Sequence, residues 1–119
     1  MEYKYTKKDF KAFKTSVNYW IDRFGITEWD IDFMQHKIDS AARTTYNNKS
    51  KLVCFQLANK ICYDYCPQLN MHKLALHEVI HLLLADFGYV IQETKDYDSD
   101  LAIAQEHIVV MRLIRAFNE

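Results

Sequence analysis

From Phe10 to Phe24 the apolar positions fall at helical spacing: Phe10, Phe13, Val17, Trp20, Ile21 and Phe24 share one face of a 3.6-residue repeat. Thr6 and Asp9 stand at capping-box spacing before the run, and Gly25 follows it where a left-handed stop is favoured. An amphipathic, core-facing helix is predicted there. The period then changes to two. Trp29, Ile31 and Phe33 alternate with Asp30, Asp32 and Met34, which predicts a half-buried strand. Leu52 to Leu57 predicts another strand, after a turn-like Asn47 to Ser50, and Ala41 to Tyr46 predicts one between the two. A small antiparallel sheet of about three strands is the expected arrangement. Beyond Pro67, Asn70 is placed to cap a helix from about Met71 to Phe87 that stops at Gly88. A last helix is expected from Asp98 or Ser99 to Phe117. The class predicted is α+β.

The chain has 119 residues, half of them hydrophobic, and only two glycines and one proline. That is enough for one core but not for two, and no linker or repeat divides it, so residues 1–119 are expected to form one domain. Fifteen Lys and Arg against sixteen Asp and Glu leave a formal net charge of −1, which disfavours nucleic acid or an acidic membrane surface as partner. No apolar run has membrane-spanning length, and the first ten residues lack the apolar centre of a signal peptide. Cys54, Cys62 and Cys66 fit neither a zinc knuckle nor a redox pair. Reduced thiols and a cytoplasmic location are expected.

The chemistry concentrates in residues 74–88, where His77, Glu78 and His81 interrupt an oily run. Residues four apart in a helix lie one above the other on one face, so His77 and His81 are spaced to hold one metal ion with Glu78 beside the first of them. Zinc takes imidazole nitrogen readily. A catalytic zinc usually has three protein ligands and an open fourth position for water, whose pKa falls toward about 7. Glu78 is then the candidate base for that water. The plain alternative is a hydrogen-bonded structural cluster, but unpartnered polar groups on a buried helix are costly, which favours a metal.

A third ligand is expected on the last helix, which offers Glu106 and His107 side by side. With Glu106 set at zero and about 100° per residue, Phe117, Val110, Leu113 and Val109 surround it, whereas His107 falls near 100°, at the stripe's margin with Ile114. A carboxylate centred on a core-facing stripe needs a compensating charge. On this ground Glu106 is chosen as third ligand and His107 kept as the alternative, its other reading being a histidine that supports a ligand from behind.

On these residues, HEVIH at 77–81 and AQEHIVV at 104–110, the sequence resembles the zincin metallopeptidases. It is similar in particular to the small gluzincin-type group and to compact ImmA/IrrE-like or SprT-like proteins of phages and bacteria. The order of a helix, a small sheet, the HExxH helix and a ligand helix extends the resemblance over most of the chain, although only the two motifs are specific. The resemblance implies zinc-dependent peptide-bond hydrolysis, with His77 and His81 as ligands, Glu78 as general base and Glu106 as third ligand. Two departures stand out. Where the thermolysin-like pattern has an aspartate four residues after the ligand glutamate, this chain has Val110, and SprT-like proteins use a third histidine, which keeps His107 open. The implied partner is a peptide or protein substrate. The alternative is a zinc-containing binding protein of phage or mobile-element origin that acts on a transcriptional regulator without cutting it.

Other groups carry less. Asp96, Asp98 and Asp100 lack the glycine and glutamate of a calcium loop and are read as a helix cap. Cys62 and Cys66 are read as packing residues rather than ligands. Tyr46, Tyr63, Tyr65, Tyr89 and Tyr97 include candidate oxyanion donors, with core packing as their commoner use.

Overall fold

Local signals seat the first helix firmly. In the computed structural model, which describes residues 2–62, 69–85 and 99–117, a short strand β1 (Glu2–Lys4) leads into α1 (Lys7–Phe24). Thr6 Oγ1 accepts from the Asp9 amide at 3.1 Å and the Asp9 carboxylate accepts from the Thr6 amide at 2.9 Å, which completes the expected capping box. At the other end Gly25 takes φ 68°, a conformation that costs a residue with a side chain. Phe13, Val17, Trp20 and Ile21 are the buried residues of α1, as the helical spacing requires.

The three expected strands follow as β2 (Asp30–His36), β3 (Ala42–Asn47) and β4 (Leu52–Ala58). The Asn47 side chain accepts from the Lys49 and Ser50 amides, both at 3.0 Å, and closes the turn between β3 and β4. β4 is central. It pairs antiparallel with β3, but parallel with β2, so the sheet is mixed where an antiparallel one was expected. The reason lies in the connection: residues 37–41 carry the chain past the end of β4, whose Ala58 and Asn59 amides donate to Ala41 and His36 carbonyls at 2.8 and 3.0 Å. β3 therefore reaches the far side of β4, and the returning hairpin sets β4 running with β2.

Two further elements escaped the hydrophobic pattern. β1 pairs antiparallel with β5 (Lys60–Cys62) in a two-stranded ribbon, too short for alternation to mark it. The Tyr5 amide donates to Asn59 at 2.8 Å and the Gln35 side chain donates to the Tyr5 carbonyl at 3.0 Å, which ties the entry of α1 to the sheet.

α2 (Met71–Leu83) begins at Asn70, whose side chain accepts from the Lys73 amide, and α3 spans Ser99–Ala116. α2 stops four residues before the predicted Phe87. Leu84 leaves helical geometry while its amide still reaches Ile80 and Leu82. Gly88 lies outside the described residues. Both α1 and α3 lie against α2, and α2 also lies against β3. One core joins Phe13 and Val17 of α1, Val53, Phe55 and Leu57 of β4, Ala75, Val79 and Ile80 of α2, and Val110 of α3. Among the described residues no helix is long and apolar enough to cross a membrane.

Candidate metal centre

α2 carries the HEVIH stretch through the centre of the molecule, with Glu78, Val79 and Ile80 buried and His77 and His81 half-buried. The two imidazoles stack one turn apart with centroids separated by 5.0 Å. α3 brings a third ring beside them, the His107 centroid lying 5.7 Å from that of His77. The ligand nitrogens of His77, His81 and His107 all fall within 4.8 Å of one another. Such a donor set suits zinc, which takes three imidazole nitrogens and keeps one position open in catalytic sites.

Glu106, chosen from the sequence as third ligand, meets His81 and is not part of that group of three. Its Oε1 lies 2.9 Å from His81 Nδ1, which donates to it and leaves Nε2 as the free ring nitrogen. Outer carboxylates of this kind fix the tautomer and tilt of a metal-binding histidine. The choice between neighbours turns on where the buried stripe of α3 is centred. The helical projection placed Val109 inside it and so centred it on Glu106. In the fold Val109 is 41% exposed, Val110 is fully buried and Ile114 is half-buried. The stripe is thereby centred near Val110, about 40° from Glu106 and about 60° from His107, and both side chains flank it.

Glu78 is 5% exposed and does not stand alone. The β3–β4 register sets Thr44 opposite Phe55, on the sheet face that meets α2, and Thr44 Oγ1 lies 2.8 Å from Glu78 Oε1. The same hydroxyl is 3.1 Å from the Glu78 carbonyl oxygen. Four residues on, Asn48 Nδ2 donates to the Ala85 carbonyl at 2.9 Å. β3 and its turn thus hold α2 at Glu78 and the chain just beyond it at Ala85. Nothing in the composition of AARTTY singles out Thr44; its only signal is the alternation that aligns it with Ala42 and Tyr46.

Charge at the site follows from burial. Burial lifts the Glu78 carboxyl above the usual range, against the opposing pull of Thr44's hydrogen bond and the His81 charge. Burial, reinforced by the neighbouring His81 and His107, drops His77 to about 4, so its ring is neutral at pH 7 with a lone pair free for a metal. For His81 burial acts downward, but the hydrogen bond to Glu106 and the charges of Glu78 and Glu106 outweigh it and raise the ring.

Of the other singled-out residues, Cys62 is exposed on β5, and Tyr46 is exposed at 39% with its ring 6.0 Å from that of Trp29. Cys66, Tyr63, Tyr65, Tyr89, Tyr97, Asp96 and Asp98 lie outside the described residues. Comparison of the chain with protein-family models, curated proteins and solved structures finds no match.

Proposed function

We propose that this chain is a zinc-dependent peptidase in which His77, His81 and His107 hold the ion, Glu106 orients His81 and Glu78 is the general base. The observation that carries the reading is the convergence of three imidazoles from two helices beside a buried glutamate. Zinc bound there would supply positive charge to polarise a carbonyl oxygen and would make nearby water more acidic. Glu78 follows His77 in the helix and its charge acts on His81, and in this reading its carboxylate would take a proton from attacking water and return it to the departing amine. Its raised affinity for a proton suits that exchange, since a base works best with a pKa near the operating pH. His77 is already a neutral donor, whereas His81, whose proton Glu106 and Glu78 hold, would release it from Nε2 on binding zinc, its ring kept in orientation by Glu106.

β3 supports the choice of substrate class. It is an edge of the three-stranded sheet among the described residues, and it lies against α2, so an extended peptide can add to it by main-chain hydrogen bonds and cross the site.

Glu78→Gln separates catalyst from binder. The variant is expected to keep its zinc and its fold while cleavage of a peptide library falls at least about a hundredfold, the loss typical of a removed general base. Equal activity in wild type and variant, or no new peptide termini by mass spectrometry from either, would reject the peptidase and leave a zinc-containing binding protein. Metal analysis giving no zinc in wild type after loading would reject both.

A further inference from the structure

We infer that Thr44 is a positioning residue for the base: its hydroxyl ties Glu78 Oε1 to strand β3 and leaves Oε2 as the oxygen that works. This rests on the reading of Glu78 as general base, and it adds a residue outside both motifs.

Three observations carry it. The contact has ordinary hydrogen-bond length, 2.8 Å, between a hydroxyl and a carboxylate that is almost fully buried, and a buried carboxylate without a donor would be strongly disfavoured. The donor comes from the sheet, across 34 residues of sequence, and not from the helix that carries Glu78. Thr44 is also the polar member of its row. The register sets it beside Phe55, with Phe33 beyond, on the face that packs into the core. An apolar residue would fill this place equally well if packing were its only task.

A carboxylate on a rotatable side chain has two equivalent oxygens and several orientations. Fixing one oxygen to a rigid strand removes that freedom, and the second oxygen then meets its target without reorganisation. Because Thr44 lies on the edge strand, the base is set by the same element that would receive an extended substrate. Asn48 strengthens the arrangement by fixing the turn after β3 to Ala85, just beyond α2.

The test pairs structure with kinetics in Thr44→Val, which matches threonine in shape but has no hydroxyl, and in Thr44→Ser, which restores it. Crystal structures of the metal-free proteins should show the Glu78 carboxylate turned away from its wild-type position in the Val variant and returned in the Ser variant. For the zinc-loaded proteins, hydrolysis of 4-nitrophenyl acetate, a small ester that needs no peptide subsites, should lose about 10–100-fold in kcat in the Val variant with KM unchanged, as for other residues that support a site from behind. The Ser variant should recover most of it. Zinc content and melting temperature guard against a general loss of fold, and Thr44→Ala replaces the Val variant if the latter does not fold. An unmoved carboxylate, or full activity without the hydroxyl while Glu78→Gln is inactive, overturns the role of Thr44 and leaves the base intact. Wild-type hydrolysis that is independent of zinc or of Glu78 overturns the base, and Thr44's role with it.

Discussion

α1 and α3 have the same length, 18 residues each, and flank the same helix, yet they are held by different means. α1 is started by a capping box, stopped by a left-handed glycine, and buries Phe13, Val17, Trp20 and Ile21. Trp20 adds a hydrogen bond from its ring to the His72 carbonyl at 3.1 Å. α3 buries Val110 completely, while Ile103 is 64% exposed and Ile108, Val109 and Met111 are also exposed. Its link to α2 includes a polar seam, the His81–Glu106 pair and the adjoining His107. One helix is fixed by its apolar stripe. The other shares the task with a polar seam, and under the proposed function metal binding and helix docking would be one event.

Removing apolar contact from α1 gives the largest expected effect. Phe13→Ala should cost about 3–5 kcal/mol, because a fully buried ring is lost and a cavity is left. Urea unfolding should show this loss with or without zinc; a cost below that of Val110→Ala would reverse the ranking of the two helices.

Zinc should act next in size, and on α3 first. At a hundredfold excess over its dissociation constant a ligand that binds only the folded chain stabilises it by about 2.7 kcal/mol. Hydrogen exchange should therefore slow most at α3 amides on adding zinc, and His107→Ala should erase that gain while sparing the protection of α1 in the metal-free protein. Equal slowing in both helices, or a gain that survives His107→Ala, would show that α3 does not depend on the metal seam.

The smallest effect concerns the entry to α1. Burial, with the nearby Tyr3 and Asp9, raises the Tyr5 phenol from 10.0 to about 12. A proton held more tightly in the folded state stabilises it fully below the unfolded pKa. The benefit declines as pH rises from about 10 to about 12, where the unfolded chain ionises first. Tyr5→Phe should flatten this part of the alkaline stability curve, and an unchanged slope would assign the alkaline loss to other groups.

What the sequence disclosed follows the same division. α1 was readable because cap, period and stop are all local, and β2, β3 and β4 were readable from alternation and turn residues. Parallel pairing of β2 with β4 was not, since alternation marks the faces of a strand and says nothing about its neighbours. The end of α2 was overrun because the apolar run continues through Leu84, Ala85 and Phe87, with no change of period at Leu83. His77, Glu78 and His81 stood out by spacing alone. The disposition of Glu106 and His107 depended on a rotation of α3 that only packing sets, and Thr44 reaches Glu78 through strand register, which no local pattern contains.

The central place of β4 also bears on the order in which the sheet is assembled. Its pairing with β3 starts at Asn47 and Leu52 across a tight turn, so this hairpin can zip outward from contacts close in sequence. Its pairing with β2 has no such beginning: Asp30 meets Leu52 and His36 meets Ala58 at a constant separation of 22 residues. That edge must be found by a chain search, and such non-local contacts are the ones that slow folding. The strand that presents Thr44 is thus expected to form early with its hairpin, and the far edge of the sheet to join after it.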